Sequence, residues 1–238
     1  RASAEQLQSS QQVIERQVMH MARLLDDLLD ISRITRGRLE LRRERTDINT
    51  VVDAAVEAAM PLIESRRHAL EVTLTEPAPV VDADVVRLSQ VLSNLLTNAA
   101  KYSEPGGRIA LRVERSPEDN RLTLRVSDNG IGIPPASIPG LFEMFSQLRP
   151  GLDHAEGGLG IGLALVKGLM ALHGGSVEAH SEGPGRGSEF IVRMPVAPPQ
   201  AEAVQPPQRA LTLPARLRIL VADDNRDAAE SLSALLML

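Results

Sequence analysis

Residues 84–102 read DVVRLSQVLSNLLTNAAKY, and the fold follows from how this stretch must lie. Val85, Leu88, Val91, Leu92, Leu95 and Leu96 recur at spacings of three and four, the signature of one face of an α-helix. Asp84 stands where an N-cap belongs, its carboxylate available to the first free backbone N–H groups. Asn94, Asn98 and Lys101 lie four and three apart, so the helix also carries a polar row along one face. Carboxamide oxygens suit a hard cation such as Mg²⁺, and an ammonium suits a phosphate. The plain alternative is that the amides satisfy neighbouring backbone groups.

Downstream, residues 108–114 and 121–127 alternate apolar and polar around a turn cluster at 116–120, which predicts a β-hairpin. A glycine-rich irregular stretch occupies 128–160. A helix is expected over 161–173, then strands near 176–180 and 188–194. Upstream, residues 69–75 (ALEVTLT) read as a half-buried strand, and 50–64 as a helix capped by Asp47 or Asn49. In the first forty residues Ile14, Val18, Met21, Leu25 and Leu28 follow 4-3-4-3 spacing, a coiled-coil rhythm. Leu24, Leu29, Ile31 and Ile34 widen it to the stripe of a bundle helix, and Gly37 weakens the helix near its end. This order of elements is α+β and not a doubly wound sheet. Residues 195–214 shift to Pro, Ala and Gln and read as a linker. LRILVA at 217–222 reads as a buried strand that ends in Asp223 and Asp224.

Composition removes several function classes. The chain has 238 residues, 43% hydrophobic and 24% charged, an ordinary globular mixture rather than a disordered one. No apolar run approaches the ~20 residues that span a bilayer, and the polar opening is not a signal peptide. Cysteine is absent, which excludes disulfides, thiolate metal sites and cysteine nucleophiles. A net charge of −5 and 2% aromatics argue against a nucleic-acid partner. The chain opens without Met and stops inside an apolar run, so it reads as a piece of a longer protein.

Glycines carry the next signal. Asp128-Asn-Gly130-Ile-Gly132-Ile133-Pro follows a strand, Gly157-Gly158-Leu159-Gly160-Ile161-Gly162 opens a helix, and Gly183-Pro-Gly185-Arg-Gly187 joins two strands. A glycine loop that opens a helix aims unpaired backbone N–H groups at an anion, and the helix dipole assists. Any one cluster taken alone is more often a plain turn than a ligand loop. Neither a P-loop nor a dinucleotide fingerprint is present.

Taken in order, Asn94-Leu-Leu-Thr-Asn98-Ala-Ala-Lys101-Tyr102, Asp128-x-Gly-x-Gly, Phe142-Glu-Met-Phe145, Gly158-x-Gly160-x-Gly162 and Gly183-x-Gly185-x-Gly187 resemble the N, G1, F, G2 and G3 boxes of sensor histidine kinases. These belong to the superfamily shared with the heat-shock chaperone, type II topoisomerase and mismatch-repair ATPases. The resemblance covers about Asp47 to Val196. It implies a two-layer α/β sandwich with a mixed sheet over residues 43–196, binding ATP and Mg²⁺. Residues 1–42 resemble the second helix of the family's dimerisation hairpin, 197–216 a Pro-rich linker, and 217–238 the start of a receiver domain. That layout is the layout of hybrid histidine kinases.

The resemblance also implies roles. Asp128 would accept the adenine amino hydrogen, with Gly130, Gly132, Ile133 and Ser188 around the base. Asn98 would ligate Mg²⁺, while Lys101 and Tyr102 would border the phosphates and nucleotide. Asn94 stands where ATP-hydrolysing relatives place a water-activating Glu; an amide cannot be that base, which favours transfer over hydrolysis. Asn94, Asn98 and Lys101 thus form the expected catalytic row. Phe142 and Phe145 would anchor a lid over 146–157. Gly158, Gly160 and Gly162 would face the phosphates, with Leu159, Ile161 and Leu163 beside them. Asp223 and Asp224 resemble a receiver's Mg²⁺-holding acidic pair.

None of His20, His68, His154, His173 and His180 sits in a His-Glu-Leu-Arg-like acceptor box. The expected function is therefore the Mg·ATP-binding part of a histidine kinase whose acceptor histidine lies upstream. The alternative is a catalytically inactive ATP-binding scaffold or nucleotide-sensitive switch. Expected partners are a second copy, through the helical hairpin, and a receiver in cis or a response regulator in trans. The expected setting is the cytoplasmic part of a bacterial protein, with membrane attachment of the parent left open by the sequence.

Overall fold

The computed structural model describes residues 4–116, 120–146 and 160–198. Gly158, Leu159, the 195–214 linker beyond Pro198, the 217–222 strand, Asp223 and Asp224 lie outside the described residues. Among the described residues no helix is long and apolar enough to cross a membrane.

The chain begins with a long helix, α1 (Ala4–Thr35). It stops short of the forty residues expected. Gly37 N–H bonds to Ile34 O (2.9 Å) and Arg38 N–H to Arg33 O (2.8 Å), the paired closure of a Schellman turn. Strand β1 (Glu44–Asp47) leads into α2 (Ile48–Ser65), where Asp47 Oδ1 accepts from Asn49 N–H at 2.8 Å. After β2 (Ala69–Thr73) comes β3 (Val80–Ala83), which pairs antiparallel with β1. Neither β1 nor β3 is visible in the hydropathy pattern, since ERTD carries no apolar alternation and VVDA is only four residues long. Helix α3 (Val85–Tyr102) follows, capped by Asp84 Oδ1 on Arg87 N–H (3.1 Å).

The remaining elements are β4 (Arg108–Ser116), β5 (Arg121–Asp128), α4 (Gly162–Leu172), β6 (Ser176–His180) and β7 (Ser188–Pro195). Five strands form one sheet in the order β2-β4-β5-β7-β6. β2 runs parallel to β4 and the other pairs are antiparallel, so the sheet is mixed. One sheet face is apolar: Ile109, Leu111 and Val113 of β4, Leu122, Leu124 and Val126 of β5, Phe190, Val192 and Met194 of β7 are all buried. The opposite face carries Arg125 between Glu114 and Glu189, and Arg193 on Glu178. A sheet with one solvated face needs a single covering layer, and α3 and α4 provide it, with α2 packed against α3. The α+β, two-layer arrangement is the one expected. The buried row of α3 is Leu88, Val91, Leu92, Leu95, Leu96, Ala99 and Ala100, the same apolar face that its sequence outlines.

Asp84 ties three elements together. Besides capping α3, its Oδ2 accepts from Arg42 N–H (2.9 Å), and its own N–H donates to His173 Nε2 (3.2 Å). His173, at the C-terminal end of α4, is 1% exposed, and its Nδ1 lies 2.8 Å from Leu169 O. Both contacts fit one neutral tautomer, protonated on Nδ1. Burial holds this imidazole below its ordinary pKa of 6.5; Arg43 adds to the effect, while the Leu169 carbonyl, Asp84 and Asp82 oppose it. The unfolded chain takes up this proton near pH 6.5, where the folded chain still resists it. The contribution of His173 is thus complete above about pH 6.5 and is lost as the pH falls below it. Urea midpoints measured from pH 7.5 to pH 5 should decline for the native chain and decline less for His173→Gln. Parallel curves for the two proteins would reject this assignment.

Candidate functional site

The strand period decides where the first glycine turn begins. Leu122, Leu124 and Val126 face the helices, so two residues on, at the last position of β5, Asp128 faces the same way. On β7 the series Met194, Val192, Phe190 likewise leads to Ser188. The register sets Asp128 opposite Ser188, and Ser188 Oγ–H donates to Asp128 Oδ2 at 2.6 Å. The other carboxylate oxygen, Oδ1, accepts from Gly130 N–H at 2.8 Å. Asp128 is therefore held at both oxygens. Each ionised carboxylate oxygen has a second lone pair, so the group keeps acceptor capacity toward a ligand.

The chain then turns beneath the end of α3. Ile131 N–H donates to the carbonyl of Tyr102 (2.9 Å), while Tyr102 as a residue is 44% exposed. The third glycine cluster backs onto the first: Gly187 N–H donates to Gly130 O (3.1 Å) and Gly185 N–H to Ile131 O (2.7 Å). Gly132 lies against the carbonyl of Gly183. Ile133 is buried in the core, and its N–H donates to Ser181 Oγ (3.0 Å). Gly187 shows why no side chain fits between the two turns. Its φ is +70°, and an added Cβ would stand 2.0 Å from Asp128 O.

The polar row of α3 meets the second glycine cluster. Asn94, Asn98 and Lys101 are half-buried along the helix. The start of α4 lies over Asn94: the space beside Gly162 is 3.8 Å from Asn94 Oδ1. Asn94 Nδ2 is buried and has no hydrogen-bond partner among the described residues, an uncommon state for a buried amide. Among the described residues no side chain caps the N-terminus of α4, and a helix start of this kind can receive an anion on its first N–H groups. Ile161 is buried and Leu163 packs against the core. Gly160 O accepts from Phe145 N–H (3.1 Å), joining the two edges of the segment between them. Phe145 is 63% exposed at φ +63°, and Phe142 packs against the core.

Asp128, Ser188 and the first and third glycine turns thus gather by the C-terminal end of α3, and the start of α4 lies over Asn94 of the same helix. Residues 83–198 match the family of histidine kinase-, DNA gyrase B- and HSP90-like ATPases. The circadian input-output histidine kinase CikA of Synechococcus elongatus is 37% identical over 218 residues, which are 88% of this chain and 28% of CikA. Among solved structures, the mycobacterial sensor histidine kinase MprB aligns at 31% identity and a TM-score of 0.56 over 66% of this chain and 99% of that one. The chain belongs to the histidine kinase ATPases. The crystal structure of full-length ShkA in complex with AMPPNP has a TM-score of 0.70 at 29% identity, covering 84% of this chain and 41% of ShkA. This chain of a histidine kinase ATPase spans less than a third of the length of CikA and of the alginate biosynthesis sensor protein KinB of Pseudomonas aeruginosa.

Two groups have no motif signal in the sequence: the Ser181 hydroxyl and the backbone carbonyl of Tyr102. The first is a lone serine in a turn-like stretch, and the second is a main-chain atom.

The glycine turns give a direct test. Gly185 (φ +76°) has open space around it, whereas Gly187 does not. Gly185→Ala should cost only the left-handed backbone penalty, about 1 kcal/mol. Gly187→Ala adds a clash with a strand carbonyl and should cost more than about 3 kcal/mol. Urea unfolding of both variants checks this, and equal losses would contradict the packing described.

Proposed function

We propose that this chain is the ATP-binding catalytic part of a two-component sensor histidine kinase. Residues 43–196 bind Mg·ATP in this reading, and 1–42 supply a dimerisation helix. Residues 197–216 are the linker and 217–238 begin a receiver. The observation that carries the proposal is the doubly held Asp128. Its geometry is fixed, its oxygens are acceptor-only, and an exocyclic N–H of adenine is the donor that such a group selects.

The Asn94 amide, without a hydrogen-bond partner among the described residues, fits a phosphate oxygen, and Asn98, one turn on, fits a cation that prefers oxygen ligands. Lys101 closes that row as a positive charge near the nucleotide. Bound Mg²⁺ would neutralise phosphate charge and align the terminal phosphoryl group. Asn94 supplies no base for activating water, since an amide cannot take up a proton near neutral pH. Phosphoryl transfer to a histidine imidazole on another segment is therefore favoured over hydrolysis. Ile14, Val18, Met21, Leu25, Leu28 and Leu29 of α1 are exposed, and we assign that apolar stripe to the homodimer. A receiver in cis or a response regulator in trans would take the phosphoryl group onward. The setting we infer is the cytoplasmic part of a bacterial protein.

Asp128→Asn places an NH₂ group where an acceptor is needed. It should weaken Mg·ATP binding by roughly 10- to 100-fold, the worth of one hydrogen bond to a charged group. Calorimetric titration checks this, and unchanged affinity would remove the site assignment. The parent protein, extended upstream, should take an acid-labile label from γ-labelled ATP. Binding without label would favour a catalytically inactive scaffold or switch.

A further inference from the structure

Ser181 follows the last residue of β6 and is half-buried between the two glycine turns. A serine hydroxyl can donate one hydrogen bond and accept two. Here all three are used. Oγ–H donates to Gly187 O (2.6 Å), and Oγ accepts from Ile133 N–H (3.0 Å) and Gly183 N–H (3.2 Å). Ile133 closes the turn that begins at Asp128. Gly183 and Gly187 bound the turn that delivers Ser188 to Asp128. One oxygen atom therefore fixes both loops that position the carboxylate, although Ser181 belongs to neither glycine motif.

We propose that Ser181 is a positioning residue for adenine recognition. It holds the 183–188 turn at the height at which Ser188 meets Asp128 Oδ2, so it acts on the base through Asp128. The inference rests on the reading of Asp128 as the group that accepts the adenine amino hydrogen. Loss of the hydroxyl leaves Ile133 N–H and Gly183 N–H without an acceptor and Gly187 O without this donor. The remaining links between the turns, Gly187 N–H to Gly130 O and Gly185 N–H to Ile131 O, keep them adjacent but no longer in fixed registry. The consequence is specific: affinity falls for a base that uses Asp128 and holds for one that does not.

The test titrates the full chain with Mg·ATP and with Mg·purine riboside triphosphate, which lacks the exocyclic amino group. Ser181→Ala should bind ATP roughly tenfold more weakly and the analogue within about twofold of the native chain. Ser181→Thr retains the hydroxyl and should restore ATP affinity. Equal losses for both nucleotides would reduce Ser181 to a structural residue, and no loss for either would also overturn the proposal. Asp128→Asn separates the two layers of argument. If that variant binds ATP normally, the reading of Asp128 has failed. If it binds weakly while Ser181→Ala is unchanged, only the present inference has failed. Should Ser181→Ala not fold, Ser181→Cys takes its place in the same titrations, its thiol being a weak donor and acceptor.

Discussion

The antiparallel register of β5 and β7 sets Asp128 opposite Ser188, and the candidate site depends on it. A slip of β5 by one residue would turn Asp128 to the solvated face, away from Ser188, and would bring Leu122, Leu124 and Val126 out of the core with it. The apolar face therefore holds the carboxylate in place through the free energy of burying three strands of aliphatic side chains. No local motif could do this. An Asp-Asn-Gly turn alone leaves the carboxylate free to bond its own backbone and nothing else. Here that bond to Gly130 is present, but it occupies only one oxygen, and the neighbouring strand occupies the other.

Much of this was legible in the sequence because it repeats. The α3 row appears as threes and fours, the hairpin strands appear as alternation, and Asp84 and Asp47 stand at the caps where they were expected. What the sequence withholds is non-local. β1 and β3 are too short and too polar to have a period, and they exist because each gives the other a partner. The parallel pairing of β2 with β4 depends on a crossover through α3, which no pattern within either strand encodes. Ser181 illustrates the same limit at the level of one atom. In His-Ser-Glu-Gly it reads as a turn residue, and its three partners lie two, six and 48 positions away.

The early end of α1 also has a physical cause that a sequence window cannot weigh. Arg38, Leu39 and Leu41 would continue a helix on propensity alone, yet Gly37 closes a Schellman turn. The segment after it is drawn to the ATP-binding unit by Arg42 N–H on Asp84 and by the Arg43 guanidinium on the carbonyl of Leu172. Tertiary bonds outweigh the modest gain of about one and a half more helical turns.

Helix α3 is held at both ends. Near its start, the Arg87 guanidinium forks onto both carboxylate oxygens of Asp30 on α1, and Gln90 reaches Asp27 (3.4 Å). At its finish, the Tyr102 carbonyl holds the turn that follows Asp128. Eighteen residues at 1.5 Å each make a stiff rod about 27 Å long. In mechanical terms it is a lever: a tilt of about 5° imposed at the Arg87 end displaces the Tyr102 end by roughly 2 Å. That is about two-thirds of a hydrogen-bond length, so a small rotation of α1 would arrive at the turn after Asp128 as a change between bonded and broken.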